Sequence, residues 1–279
     1  MIVDVHSHLF AENHVGPPFA TDAARAHSGP VDLTVSWDHY AATSPATTRT
    51  IVVGGKARLC GLWVDDEAVA TYVAEHDDRL IGYMSVDPTQ PGWLEEMRHG
   101  HLDLGLAGIK LMPMYAGFDP ADASLDPLYA YAQENGLPLL VHTGTTFVSA
   151  APLKWALPIH LDEVASRFPG LRMVLAHLGH PFEGECIAVI RKHEHVYADV
   201  SALHYRPFQL WHSLRLVQDY GVWRKLLFGS DFPFTTVDAS IAGLRAVAAV
   251  PGIPGLDPLD RDEVEKLIHR DALPLLGLR

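Results

Sequence analysis

Eight short, nearly unbroken apolar runs punctuate this 279-residue chain, and each leads into an amphipathic stretch. The runs fall at 2–5, 50–53, 80–86, 108–111, 138–142, 172–177, 196–201 and 226–230. Helical patterns fill 66–76, 92–101, 125–135, 161–168, 184–193, 208–220 and 238–249, and a last helix starts after the N-cap Asp260 and runs through 276. Runs this short and solidly apolar suit parallel strands covered on both faces. Strict β/α alternation calls for a parallel sheet, and eight such units in this length match a closed (β/α)8 barrel, a TIM barrel spanning 1–279 as a single domain. An open doubly wound sheet has the same periodicity. Its dinucleotide-binding form is disfavoured, because no G-x-G-x-x-G follows the first run.

Composition narrows the function classes. A 48% apolar content supports a large core, and a formal charge of −13 disfavours nucleic-acid binding, which needs a basic face. No apolar stretch approaches membrane-spanning length, and no secretory leader precedes the first run, so a cytoplasmic protein with a small-molecule substrate is expected. Cys60 and Cys186 are too few for a disulfide framework and read as buried thiols. The segment from about 10 to 48 is long, irregular and rich in Pro, Gly, Ser and Thr. Leaving the first strand, it would lie over the barrel mouth as a lid, with Phe19, Trp37 and Tyr40 closing on a ligand; an oligomer contact is the competing reading.

What ends each strand carries the chemistry. The first run ends on His6 and His8, whose i, i+2 spacing sends both imidazoles to one face. The fourth passes through Lys110, the fifth ends on His142, the sixth on His177 and the eighth on Asp231. Strand C-termini of a barrel meet at one mouth, so several imidazoles and a carboxylate there would form a catalytic metal site. With 17 histidines in the chain some must end strands by accident. His142 or His177 alone would be read as a buried, hydrogen-bonded histidine, and the set taken jointly argues for the metal.

The stretches Asp4-Val5-His6-Ser7-His8, Gly108-Ile109-Lys110-Leu111, Leu140-Val141-His142-Thr143-Gly144, Ala176-His177-Leu178-Gly179-His180-Pro181 and Phe228-Gly229-Ser230-Asp231-Phe232-Pro233 resemble, in order, the amidohydrolase-2 branch of the amidohydrolase superfamily. That branch holds metal-dependent hydrolases and aminocarboxymuconate-semialdehyde and resorcylate-type decarboxylases. The resemblance implies one divalent ion, zinc first and manganese or iron as alternatives, held by His6, His8, His142 and Asp231. It implies a catalytic His177 beside the ion. A second metal is not expected. Lys110 stands near the place where binuclear relatives carry a carboxylated lysine, and here it reads instead as a substrate-binding or ion-paired lysine. Asp271-Ala272 departs from the family's Asn-Ala, which touches packing more than catalysis. A homodimer is compatible with the family.

The expected reaction is hydrolysis of a C–O or C–N bond in a small organic substrate by a metal-activated water, with Asp231 as general base and His177 or the ion steadying the oxyanion. The alternative is non-oxidative decarboxylation of an aromatic or unsaturated acid by the same groups. Arg206 could fork a substrate carboxylate, and Tyr115 could offer its hydroxyl to the pocket. His180 is expected to fix a loop rather than to ligate.

Overall fold

The computed structural model describes residues 1–26, 32–252 and 254–279. Eight parallel strands follow one another around a single sheet in chain order. They are β1 (Ile2–His8), β2 (Thr48–Val53), β3 (Leu80–Val86), β4 (Ile109–Leu111), β5 (Leu139–Val141), β6 (Met173–Leu175), β7 (Val196–Asp199) and β8 (Leu226–Leu227). The chain beyond β8 returns to β1 and draws the ring together. Val5 N–H donates to the Phe228 carbonyl at 2.9 Å, Asp231 N–H to His6 at 2.8 Å, and His8 N–H to Phe232 at 2.7 Å. The architecture is the expected TIM barrel.

Two apolar layers hold it. Val3, Val5, Ile51, Tyr83, Leu140, Val174 and Leu227 fill the inside of the ring, plugged from below by Leu273 and Leu276. Alternate strand residues such as Val52, Met84, Ile109, Leu139 and Met173 face outward and pack against the helices. This is the two-sided burial that makes parallel strands read as continuous apolar runs.

Period-2 alternation breaks once, in β1. Asp4 pairs with Thr50 and Ser7 with Val52, so β1 spends three steps where β2 spends two. A bulge of this kind re-aims the side chains beyond it. Val3 and Val5 therefore belong to the interior, and His6 and His8 still end up at the inner mouth. Asp4 takes the opposite side, fully buried, and closes the seam: its carboxylate accepts Ser230 N–H at 2.9 Å, the Ser230 hydroxyl at 2.6 Å and His6 N–H at 3.2 Å.

Seven of the surrounding helices lie within a few residues of their expected bounds, from Asp66–Ala74 to Val237–Ala248. The eighth is shorter than expected. Asp260 does cap it, accepting from the Asp262 and Glu263 N–H groups, but the helix is Arg261–Ile268 and does not reach 276. The backbone leaves the helical region already at His269, φ −103° and ψ 7°, and the chain continues in turns. The sixth strand also stops early, at Leu175, because His177 and Leu178 adopt left-handed φ values of 59° and 48°.

The expected lid needs correction. Part of that segment, 27–31, lies outside the described residues. The rest is not one loop but carries helices Pro17–Ala26 and Trp37–Ala42. Phe19 does line the cavity at the mouth. Trp37 and Tyr40 do not: Trp37 stacks on His76, while Tyr40 bonds the Thr50 hydroxyl and packs on Phe232. Their aromatic area serves to dock the second helix on the barrel's flank.

Replacing Asp4 by Ala strands two Ser230 donors and one from His6 in a dry seam, so urea unfolding should register a loss of about 2–4 kcal/mol. Asp4→Asn, which keeps an acceptor, should cost less. Equal stability of Asp4→Ala and wild type would mean that the seam is held by its backbone bonds alone.

Candidate active site

At the C-terminal mouth, β1 and the chain after β8 deliver His6, His8 and Asp231 to one point. Asp231 Oδ1 lies 3.2 Å from His8 Nε2 and 3.6 Å from His6 Nε2. These three residues offer ligand atoms all within 4.8 Å of one another, the spacing a single ion can bridge. His177 stacks on His6 with ring centroids 4.9 Å apart, and His142 faces His177 at 4.9 Å. His142 stands one ring further from the cluster than expected, because its Nε2 turns to the Thr145 carbonyl at 3.4 Å.

The donor set is chemically suited to a cation. Burial holds His6, His142 and His177 well below the ordinary histidine range, so they are neutral imidazoles with a lone pair to give. Burial pushes the Asp231 carboxyl up, with His8 and Lys110 pulling it down. His6 is oriented from behind: its Nδ1 lies 3.0 Å from Asp199 Oδ2, which makes Nδ1 the protonated nitrogen and directs the Nε2 lone pair into the site. Lys110, fully buried on β4, reaches that Nε2 at 2.9 Å, and burial lowers its ammonium to about 8.

Backbone conformation aims the carboxylate and one imidazole. Among the described residues, four non-glycine positions have left-handed φ, and all lie on mouth loops: His177, Leu178, Ala202 and Asp231. Such conformations cost roughly 1–3 kcal/mol each and persist where surrounding contacts over-determine them. Two glycines make room. A Cβ on Gly144, φ +91°, would lie 2.3 Å from the His180 carbonyl oxygen, and one on Gly229 would press at 3.1–3.4 Å on the Cβ atoms of His6, Ser201 and Asp199.

Above the cluster opens a cavity of about 210 Å³, with His8, His142, His177 and Asp231 at its base. Phe10, Phe19, Tyr115, Phe147, Tyr205 and Phe234 supply aromatic walls, and Arg206 and His180 lie on one side. Tyr115 sets its ring edge-on to His142 at 4.8 Å. Arg206 is exposed, donates to the Ala202 carbonyl at 3.3 Å and has no acidic partner among the described residues. Met112 lines the cavity, whereas Met114 is core.

Helix Pro17–Ala26 covers one edge. Phe19 packs edge-on against Phe147 at 5.2 Å, and Asp22 accepts the Ser149 N–H at 2.6 Å and its hydroxyl at 2.7 Å.

Strand-end pattern alone does not point to Asp199 and Ser201. The signal is present: Asp199 is an acidic residue interrupting the apolar run 196–201, and a serine ends that run two positions later.

The amidohydrolase family model matches residues 3–278, essentially the whole chain. The chain belongs to the amidohydrolase family. No curated protein sequence matches this amidohydrolase. Among solved structures it is similar to an uncharacterised TIM-barrel protein of Bordetella bronchiseptica, with a TM-score of 0.75 and 21% identity, covering 99% of this chain and 98% of that one. A probable 2-pyrone-4,6-dicarboxylic acid hydrolase of Acinetobacter baumannii, with citric acid bound, has a TM-score of 0.62 and 15% identity over 99% of both chains. The 5-carboxyvanillate decarboxylase of Novosphingobium aromaticivorans, with bound manganese and 3-methoxy-4-hydroxy-5-nitrobenzoic acid, has a TM-score of 0.65 and 14% identity, covering 100% and 97%. At these identities the likeness is one of fold. No helix among the described residues is long and apolar enough to cross a membrane.

Asp22 on Ser149 and Arg25, which donates to the Phe147 carbonyl at 3.3 Å and pairs with Asp22, tie the covering helix to the β5 loop, so Asp22→Ala should speed limited proteolysis within 10–48 several-fold, read by mass spectrometry of the fragments. Unchanged cutting would mean that Phe19 packing and the Arg25 bond to the Phe147 carbonyl secure the cover without Asp22.

Proposed function

We propose that this amidohydrolase is a metal-dependent hydrolase cleaving a C–O or C–N bond of a small organic substrate, with Asp231 as general base. The observation that carries the reading is the Asp231 carboxyl, buried at the cavity base 3.2 Å from His8 Nε2 and 3.6 Å from His6 Nε2. His6, His8 and Asp231, joined by His142 once its ring turns from the Thr145 carbonyl, would hold one divalent ion, zinc first, though manganese and iron suit the same donors. Such an ion, when bound, supplies a water of lowered pKa and polarises the carbonyl under attack. Asp231, raised by its burial, is the better proton acceptor near neutrality for it. His177 stands beside the same point. Arg206 receives an anionic end of the substrate, its guanidinium being free of acidic partners among the described residues. Acidic composition and two buried thiols suit a cytoplasmic setting.

One observation favours a second reading. The cavity walls are largely aromatic, which suits a flat unsaturated acid, and the manganese-bound neighbour is a decarboxylase. In that reading Asp231 or His177 protonates the carbon that loses carbon dioxide.

Substitution separates these roles. Asp231→Asn should lower kcat by about 10²–10⁴ on activated esters or lactones, the usual span for losing a general base. Carbon dioxide release from aromatic acids with no ester or lactone turnover would replace the hydrolase by the decarboxylase. Chelation should remove one equivalent of divalent metal and abolish turnover, and His8→Ala should purify without metal while His180→Ala retains it. Full activity in metal-stripped protein would sink both readings.

A further inference from the structure

Behind the cluster lies a buried chain of hydrogen bonds that fixes what His177 presents to the cavity. His177 Nδ1 is 2.7 Å from Ser201 Oγ, and Ser201 Oγ is 2.5 Å from Asp199 Oδ1. Asp199 Oδ1 also accepts the backbone N–H groups of His177 at 2.9 Å and Ser201 at 3.0 Å, while Oδ2 meets His6 Nδ1 at 3.0 Å. Asp199 and Ser201 are fully buried, so no water competes for these positions.

The proton positions follow from counting. Ser201 has one hydroxyl hydrogen, and a serine oxygen this close to a carboxylate oxygen must place that hydrogen between them. Ser201 Oγ is then an acceptor toward His177, whose Nδ1 must carry the hydrogen of the 2.7 Å contact. A neutral imidazole protonated on Nδ1 has a bare Nε2. Among the described residues nothing donates to that nitrogen, and the ring lines the cavity.

We infer that Ser201 and Asp199 are positioning residues that lock His177 as a hydrogen-bond acceptor toward the substrate. The inference rests on the hydrolytic reading for its consequence. In that reaction the attacking water gives one proton to Asp231 and points its second O–H at His177 Nε2. Its oxygen forms the new bond to the carbonyl carbon, the C–O or C–N bond breaks, and the proton held by Asp231 passes to the leaving atom. The expectation that His177 donates to the oxyanion is thereby replaced, since a bare Nε2 has no hydrogen to give. The same carboxylate orients His6, so the nucleophile's orienting group and the candidate ligand share one anchor.

The test begins on the metal-free full-length protein, with ¹⁵N-labelled histidine and long-range ¹H–¹⁵N correlation at about pH 8, where neutral tautomers are resolved. The His177 signals, assigned by their loss in His177→Gln, should show a single Nδ1–H tautomer. An Nε2–H tautomer in wild type overturns the inference without any variant having to fold. Ser201→Ala should let the tautomers mix and lower kcat by about 10–100-fold, with KM changed less than about threefold and metal content unchanged. Ser201→Ala with wild-type kcat overturns the positioning role. Full activity in Asp231→Asn would instead remove the hydrolytic reading and leave the tautomer result standing.

Discussion

Everything at the mouth depends on how the first strand meets the last. His6 and His8 precede Asp231 by more than two hundred residues, and no local propensity can bring them together. The junction has little regular ladder to rely on, since β8 itself is only Leu226–Leu227. Its place is taken by three backbone bonds beyond the strand and by the Asp4 carboxylate gripping both polar groups of Ser230. Those contacts hold Asp231 one residue further along, in a left-handed backbone conformation that residues other than glycine adopt infrequently.

A second buried carboxylate organises the opposite wall. Asp199 satisfies its oxygens with donors from β1, the β6 loop and the β7 end, and thereby ties His6 and His177 to one rigid point. Leaving a buried acceptor of this kind half-satisfied is costly, which makes full pairing a strong constraint on geometry. Gly229 completes the arrangement by lacking the carbon that would push on His6, Asp199 and Ser201 together.

Much of this was legible in the chain. Alternating apolar runs and helices announced the barrel, because parallel strands buried on both faces carry an unmistakable composition. Residues ending those runs gave His6, His8, His177 and Asp231, which the fold does bring together. Less legible was anything set by a break in periodicity. The β1 bulge puts Val5 and His6 on the same inner side, against the rule that successive residues alternate, and sends Asp4 to the seam. Asp199 is harder to read because it sits inside the run 196–201 rather than after it, and, apart from nearby Ser201, its donors come from two other places in the fold, His6 and His177. Trp37 and Tyr40 looked like cavity walls because a loop's aromatic content says nothing about which surface it will meet.

The seam between β1 and β8 also orders events in time. During synthesis the first strand emerges long before its neighbour, so two histidines wait, without their aspartate, for more than two hundred residues of translation. The cluster of His6, His8 and Asp231 is therefore complete only once the chain beyond the eighth strand has been made and has returned to the first.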